Sequence, residues 1–101
     1  MSDDVGDEVQ VKQRKTKRQL EDERCREEFR EVLLTPGGRY WVWRLLSYCG
    51  VFQTTSEHDI NIMAIRSGMR DAGLWALEEV FKSSPKAFNL MQQESKEREN
   101  G

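Results

Sequence analysis

The chain has 101 residues, with 16 Lys and Arg, 18 Asp and Glu and one His, so its formal net charge is −2. This length allows a single domain. Because 34% of the residues are charged and only 37% are hydrophobic, part of the chain is expected to stay outside a packed core. One His and two Cys exclude an all-protein zinc site and a disulfide scaffold. No apolar run approaches the roughly 18 residues of a membrane span, and the acidic start does not resemble a signal peptide. We expect a soluble protein without metal, cofactor or membrane contact.

The charge divides the chain into four parts. Eighteen of the first 31 residues are charged, whereas the middle of the chain has the composition of a small core. We predict a disordered acidic tail over 1–11, a charged helix or arm over 12–28, a helical core domain over 29–93 and a disordered charged tail over 94–101. No stretch alternates apolar and polar residues as a half-buried strand does. The predicted fold is therefore all-α, a small bundle of three to four helices with a long charged N-terminal helix or arm.

The first predicted helix covers about 12–34, where Gln, Lys, Arg and Glu dominate and neither Pro nor Gly occurs. Its apolar stripe appears only late and consists of Cys25, Phe29, Val32 and Leu33. We therefore expect the last three turns to dock onto the core and the earlier turns to stand in solvent. Both cysteines are expected to be buried as small apolar residues.

The second predicted helix runs from about Pro36 to Cys49. Thr35 suits the cap that precedes it, and Pro36 suits its first turn. Gly50 suits the left-handed conformation that ends many helices. The predicted core positions are Trp41 or Val42, followed by Leu45, Leu46 and Cys49.

A linker over 51–58 separates this helix from the third, with Val51 and Phe52 folding back onto the core and Ser56 or Thr55 as the next cap. The third helix covers about 58–82, because apolar residues recur there at spacings of three and four. These residues are Ile62, Ile65, Met69, Ala72, Ala76, Leu77 and Val80. A Ser cap followed by Pro85 predicts a last helix over about 85–97, whose inward residues are Ala87, Phe88 and Met91.

Aromatic residues are more numerous on the second helix than one buried face can hold. Trp41 and Trp43 are two residues apart, which separates them by about 200° around a helix. At least one aromatic side chain must then face solvent, another helix or a partner, and we predict Tyr40 and Trp43 as partner-binding residues. The alternative is that neighbouring helices cover this helix on both sides.

The third helix contains two glycines and two arginines in its middle. Each Gly costs about 1 kcal/mol relative to Ala within a helix, so we predict that Gly68 and Gly73 make room either for a tight helix crossing or for a bulky ring from a neighbour, most simply a tryptophan. Arg66 and Arg70 lie four apart on one face and are predicted to contact an anion or an acidic partner. Their alternative is an aromatic ring or a nearby carboxylate within the chain. The residues with a predicted structural role are Pro36, Gly50, Gly68, Gly73, Trp75 and Pro85.

A basic run precedes the core, with five positive charges in seven residues: Lys12, Arg14, Lys15, Lys17 and Arg18. Such a run can contact nucleic acid. It has no interleaved aromatic residue for stacking on single strands, and acids flank it on both sides, so a solvated helix start is the alternative.

Sequence signals for catalysis are absent. The chain has no P-loop, no GxGxxG and no nucleophile elbow. His58 is the only histidine and lies in the predicted linker between Glu57 and Asp59, and no partner nucleophile is apparent for it. We expect no enzyme and no small-molecule substrate.

Three stretches resemble a family of small tailed-bacteriophage proteins, namely Phe29 to Arg39, Leu45 to Phe52 and Arg66 to Trp75. The family was first noted in a podovirus of Bordetella, where its gene lies among head and portal genes. The similarity covers about 29–91 and leaves out the charged ends. Relatives commonly carry Phe or Tyr directly before Arg66, where this chain has Ile65.

The family has no established biochemical activity, so the resemblance implies a phage origin and a virion or assembly role. We expect a non-enzymatic protein that docks to a phage structural protein or to itself, in the host cytoplasm during infection or in the virion. The alternatives are an internal, DNA-associated protein that uses the basic run, and an effector that binds a host protein.

Overall fold

The computed structural model of this chain describes residues 14–53 and 58–101. This part contains four α-helices and no strand: α1 (Lys17–Leu33), α2 (Pro36–Tyr48), α3 (Ile60–Ser83) and α4 (Ala87–Asn100). The all-α prediction with a charged N-terminal helix is confirmed. The predicted acidic tail over 1–11 and Lys12 lie outside the described residues.

Helix α1 begins at a capping box, later than the sequence predicted. The Thr16 hydroxyl accepts a hydrogen bond from the Gln19 N–H at 3.1 Å, and the Gln19 side chain accepts one from the Thr16 N–H at 2.9 Å. These bonds satisfy two N–H groups that would otherwise lack partners and fix the start at Lys17. Only Leu33 of α1 is fully buried, and Cys25 is exposed. The prediction of a buried Cys25 is therefore wrong, because at this level α1 contacts α3 through the side chains of Arg26 and Arg30 and not through the side of the helix that carries Cys25.

Helix α2 has the predicted boundaries. The Thr35 hydroxyl accepts a hydrogen bond from the Gly38 N–H at 3.0 Å, and Pro36 occupies the first turn. At the other end, Gly50 has a φ of 76°, and the Gly50 and Val51 N–H groups donate to the Ser47 and Leu46 carbonyls. This pair of bonds is a Schellman motif, which needs a residue that tolerates positive φ.

The caps of α3 and α4 differ from the predictions. The Asp59 carboxylate accepts from the Asn61 and Ile62 N–H groups at 2.9 and 3.3 Å, so Asp59 caps α3. The predicted caps Thr55 and Ser56 lie outside the described residues. Helix α4 starts two residues after Pro85, which sits in a turn closed by an Ala87 N–H to Ser84 carbonyl bond of 3.0 Å. Pro85 therefore directs the chain into α4 from the preceding turn.

The helices pair in two ways. Arg26 forms an ion pair with Glu79 at 3.3 Å, and the Arg30 Nε donates to the Ser83 carbonyl at 3.2 Å. In both pairs the residue of α3 comes 53 positions after its partner in α1. Moving along α1 therefore means moving the same way along α3, so the two helices lie side by side in the same direction. Helices α2 and α4 run antiparallel, because residues early in α2 meet residues late in α4.

The core lies between the four helices and includes Val51, which comes three residues after the end of α2. Leu46 and Val80 are completely buried. The other buried apolar residues are Leu33, Val42, Val51, Ala87 and Met91. The inward positions predicted for α4 are confirmed for Ala87 and Met91, and Phe88 packs against the core. In α2 the core position is Val42, and the alternative residue Trp41 is 65% exposed.

The two glycines of α3 behave differently. A Cβ added to Gly73 would lie 2.5 Å from Val51 Cγ2 and 2.7 Å from Cys49 Cβ, so this glycine does make room, for the end of α2 and not for a tryptophan. A Cβ on Gly68 would meet nothing within 4 Å, and that prediction is wrong. Gly68 lies five residues before Gly73, about 140° away around the helix. Trp75 lies about 200° from Gly73 and is 65% exposed, so it fills no core space.

The charged end of the chain is ordered helix as far as Asn100. Arg39 Nε lies 2.6 Å from Glu94 Oε1, with 11% and 20% of the two side chains exposed, and Arg39 also donates to the Leu33 carbonyl at 2.9 Å. The Arg98 guanidinium lies 4.1 Å from the centroid of the Tyr40 ring. The disordered tail predicted over 94–101 is therefore wrong for 94–100, because these charges find partners on α2. The other domain boundaries stay predictions.

Candidate docking surfaces

The outer face of α2 presents aromatic side chains to solvent. Trp41 is 65% exposed and Tyr48 is 78% exposed. Seven residues separate them, so they lie on the same side of the helix, about 10 Å apart along its axis. Arg44 lies between them, is exposed, and forms none of the ion pairs found in the described part of the chain. We call Tyr40, Trp41, Arg44 and Tyr48 the α2 surface.

Trp43, one of the two aromatic residues predicted to bind a partner, is not part of this surface. Its ring stacks on Phe52 with centroids 4.7 Å apart and lies 6.3 Å from the Phe88 ring. It is half-buried against the core. Trp41 and Trp43 are the two neighbours of the buried Val42, and each lies about 100° from it around the helix, in opposite directions. The direction of Trp43 leads towards α4, and the direction of Trp41 leads away from it. Tyr40, the other predicted residue, is 42% exposed.

The two predicted arginines meet in a cleft between the end of α2 and the middle of α3. The cleft has a volume of about 310 Å³ and is lined by Tyr48, Cys49, Gly50, Gln53, Arg66, Met69 and Arg70. No Asp or Glu of the described residues lines it. The Arg70 Nε is buried and has no hydrogen-bond acceptor among the described residues. The C-terminal end of α2 places a partial negative charge of about half a unit nearby, and the described lining residues add two guanidinium groups to the cleft.

The start of α3 forms a second exposed apolar region. The three- and four-residue spacing of its apolar residues predicts that this region is part of the core. Ile62 and Ile65 belong to the predicted buried stripe, yet they are 41% and 65% exposed. Ile60 and Met63 are 76% and 38% exposed. The prediction of a buried face is confirmed near Val80 and is wrong for these first turns, because no described helix lies over them.

The basic run is exposed where it is described. Arg14 and Lys15 precede α1, and Lys17 and Arg18 are in its first turn. Lys15 Nζ lies 2.5 Å from Glu23 Oε1. Lys15, one of the predicted nucleic-acid contacts, is thus paired with a carboxylate of α1.

Three further features of the described residues bear on function: the cysteines, the groups of possible metal ligands and the hydrophobicity of the helices. Cys49 is half-buried, and both cysteines are free thiols. The described residues contain no group of three His, Cys, Asp or Glu side chains that could hold a metal ion. No described helix is long and apolar enough to cross a membrane.

Residues 29–93 match the Bbp19-like phage protein family. This match covers most of the chain, from the last turns of α1 to the middle of α4. The chain belongs to this family. The matched residues include the whole α2 surface, the arginine cleft and the start of α3, and they exclude the basic run. No curated protein and no solved structure matches the chain, so the Bbp19-like family is what links these surfaces to bacteriophages.

Sequence reasoning missed Trp41, Arg44 and Tyr48 as members of one surface. A signal was present, because taking Val42 and Leu46 as the core positions leaves Trp41, Arg44 and Tyr48 outside the core-facing side. The alternative core position at Trp41 hid this arrangement.

Proposed function

We propose that this Bbp19-like phage protein is a non-enzymatic virion-associated or assembly protein that acts by docking to a phage structural protein. The single observation that carries the proposal is the exposure of Trp41 and Tyr48 on one side of α2. Its place of action is the host cytoplasm during infection, or the virion after assembly.

The chemistry of the α2 surface favours a protein partner. Trp, Tyr and Arg are the residues that contribute most to binding energy at protein interfaces, and this surface has all three. No Asp or Glu occurs between Val32 and Ser56, and Arg44 and Arg98 supply positive charge in the groove beside Tyr40 and Tyr48, where Glu99 of α4 is the one carboxylate among the described lining residues. The expected partner surface is therefore acidic at its rim and apolar at its centre.

Quantitative mass spectrometry of purified particles and assembly intermediates tests this proposal. The wild-type protein should be found with one of these fractions, and the double variant Trp41→Ser, Tyr48→Ser should be reduced in that fraction at least about tenfold, equivalent to about 1.4 kcal/mol of binding. Trp75→Ser is the matched control, because Trp75 is as exposed as Trp41 and lies on another helix. Absence from both fractions would instead favour an effector that binds a host protein.

The alternative function is DNA contact through the basic run. The exposure of Arg14, Lys17 and Arg18 supports it, and the pairing of Lys15 with Glu23 weakens it. Binding to duplex DNA should then fall steeply with salt, with a slope of about 0.9 in log affinity per log salt for each phosphate neutralised. Replacing these three residues by Gln should flatten that slope, whereas docking through the α2 surface should respond little to salt.

A further inference from the structure

The first turns of α3 have apolar side chains on several sides and no charge. Residues 60–65 contain no Asp, Glu, Lys or Arg, and their large apolar side chains are all at least 38% exposed. A helical stretch that is apolar around its circumference is typical of a buried helix. This stretch is therefore suited to burial in an assembly.

One seam on this stretch has the spacing of a helix-pairing face. Ile62, Ile65 and Met69 lie at positions i, i+3 and i+7, which places them on one side of α3. The same side carries Gly73 and Val80 further along, where α2 and the core cover it. Side chains at these spacings interlock when two helices pack lengthwise.

The charges next to the seam have opposite signs at its two ends. Asp59 precedes the uncharged stretch, and Arg70 follows at i+11, just beyond Met69, so the two lie along one flank of the seam. When two identical helices pack antiparallel, the same flank of each copy faces its counterpart in reverse order. Asp59 at one end of the seam then meets Arg70 at the other end, twice in each pair.

We propose that a second copy of this chain packs antiparallel on the Ile62–Ile65–Met69 seam, with Asp59 of each copy next to Arg70 of the other. This interface goes beyond the proposed docking function, because it does not use Trp41 or Tyr48. It places Ile62 opposite Met69 and Ile65 near the two-fold axis.

Two hydrogen-bonding groups at the ends of the seam fit this arrangement. Both capping bonds of Asp59 go to Oδ1, which leaves Oδ2 as an acceptor for a second copy. Arg70 is only partly buried as a residue, so a carboxylate of a second copy can approach its guanidinium group, although its Nε is not accessible. Two turns of helix bury less than the roughly 1,200 Å² typical of stable interfaces, so the dimer is weak and forms as concentration rises.

Analytical ultracentrifugation over a wide range of protein concentrations tests the interface. The wild-type chain should pass from monomer to dimer, and Ile65→Asp should weaken dimerisation at least about tenfold by placing two carboxylates beside the two-fold axis. Leu20→Asp is the matched control, because Leu20 is 53% exposed on α1, and it should dimerise like the wild type. Circular dichroism checks that each variant keeps its helix content. A chain that stays monomeric throughout, or an Ile65→Asp variant that dimerises normally, would overturn the proposal.

The orientation has its own test. Asp59→Asn keeps a good helix cap but removes the charge, so an antiparallel dimer should become weaker by a few-fold and less sensitive to salt. In a parallel dimer the two Asp59 side chains would lie at the same end and repel, so the same variant should dimerise more strongly. That result would refute the antiparallel arrangement. Normal dimerisation of the Trp41→Ser, Tyr48→Ser variant would separate this interface from the proposed docking function.

Discussion

The two ends of α3 have the same apolar rhythm in different surroundings. Gly73 and Val80 are buried against the end of α2 and the core, whereas Ile62 and Ile65 are 41% and 65% exposed. Helix α3 has 24 residues and α2 has 13, so at about 1.5 Å per residue α3 is longer by about 16 Å. The spacing of apolar residues identifies the face that a helix uses. The length of its neighbours decides how much of that face is covered within one chain.

The largest expected effect comes from the covered region. Leu46 is completely buried, so Leu46→Ala should lower the free energy of unfolding by about 2–5 kcal/mol. Ile65→Ala shortens a similar side chain in the uncovered region and should change the stability of the monomer by no more than about 0.5 kcal/mol. Urea denaturation followed by circular dichroism at low protein concentration measures both. Equal losses in the two variants would mean that Ile65 is covered within the chain.

The same contrast applies to the two sides of α2. Trp43 is half-buried and stacks on Phe52, so Trp43→Ala should cost about 2 kcal/mol, less than the 3–5 kcal/mol of a fully buried tryptophan. Trp41→Ala should leave thermal unfolding nearly unchanged. Trp fluorescence during denaturation can follow both variants. If Trp41→Ala were the more damaging change, the assignment of inner and outer sides would have to be reversed.

A smaller loss is expected from the close contact between α3 and the end of α2. Gly73→Ala would force Val51 and Cys49 to move, at a cost of about 1–2 kcal/mol after allowing for the better helix propensity of Ala. The melting temperature of this variant, compared with wild type in the same buffer, measures the effect. A higher melting temperature would contradict the close approach of Cys49 and Val51.

The smallest effect should be a gain. Gly68 lies on the uncovered side of α3, so Gly68→Ala should stabilise the chain by up to about 1 kcal/mol through helix propensity alone. The same denaturation experiment measures it, and Gly73→Ala is its natural control on the same helix. Destabilisation by Gly68→Ala would show that a neighbour does approach this position.

Local signals in the sequence predicted local structure well. Thr35, Pro36 and Gly50 mark the ends of α2, because caps and left-handed turns depend on a few adjacent residues. The start of α4 was less well predicted, since a Ser-Ser-Pro stretch fits both a cap and the turn that forms around Pro85. The end of α4 depends on contacts between Glu94 and Arg39, which are 55 residues apart, and no local pattern reports such a pair.

The candidate surfaces were predicted in kind but not in detail. Trp41 and Trp43 are two residues apart, so they cannot both face the core, and one of them must point outward. The sequence does not show which one until Val42 is known to be buried. Arg66 and Arg70 were correctly placed on one face, because a spacing of four is decisive on any helix. The uncovered start of α3 could not be predicted from its own residues, since its exposure depends on where α1 and α2 end.

The Arg39 guanidinium joins three helices, because it bonds to the last residue of α1, belongs to α2 and pairs with Glu94 of α4. Glu94 lies one residue beyond the family match, which stops at residue 93. A fragment excised at that limit would keep every buried apolar side chain and lose the carboxylate that neutralises this largely buried cation. The segment that matches the family and the segment that contains the partners of Arg39 are therefore different lengths, and expression of the shorter piece would leave a largely buried guanidinium without its carboxylate.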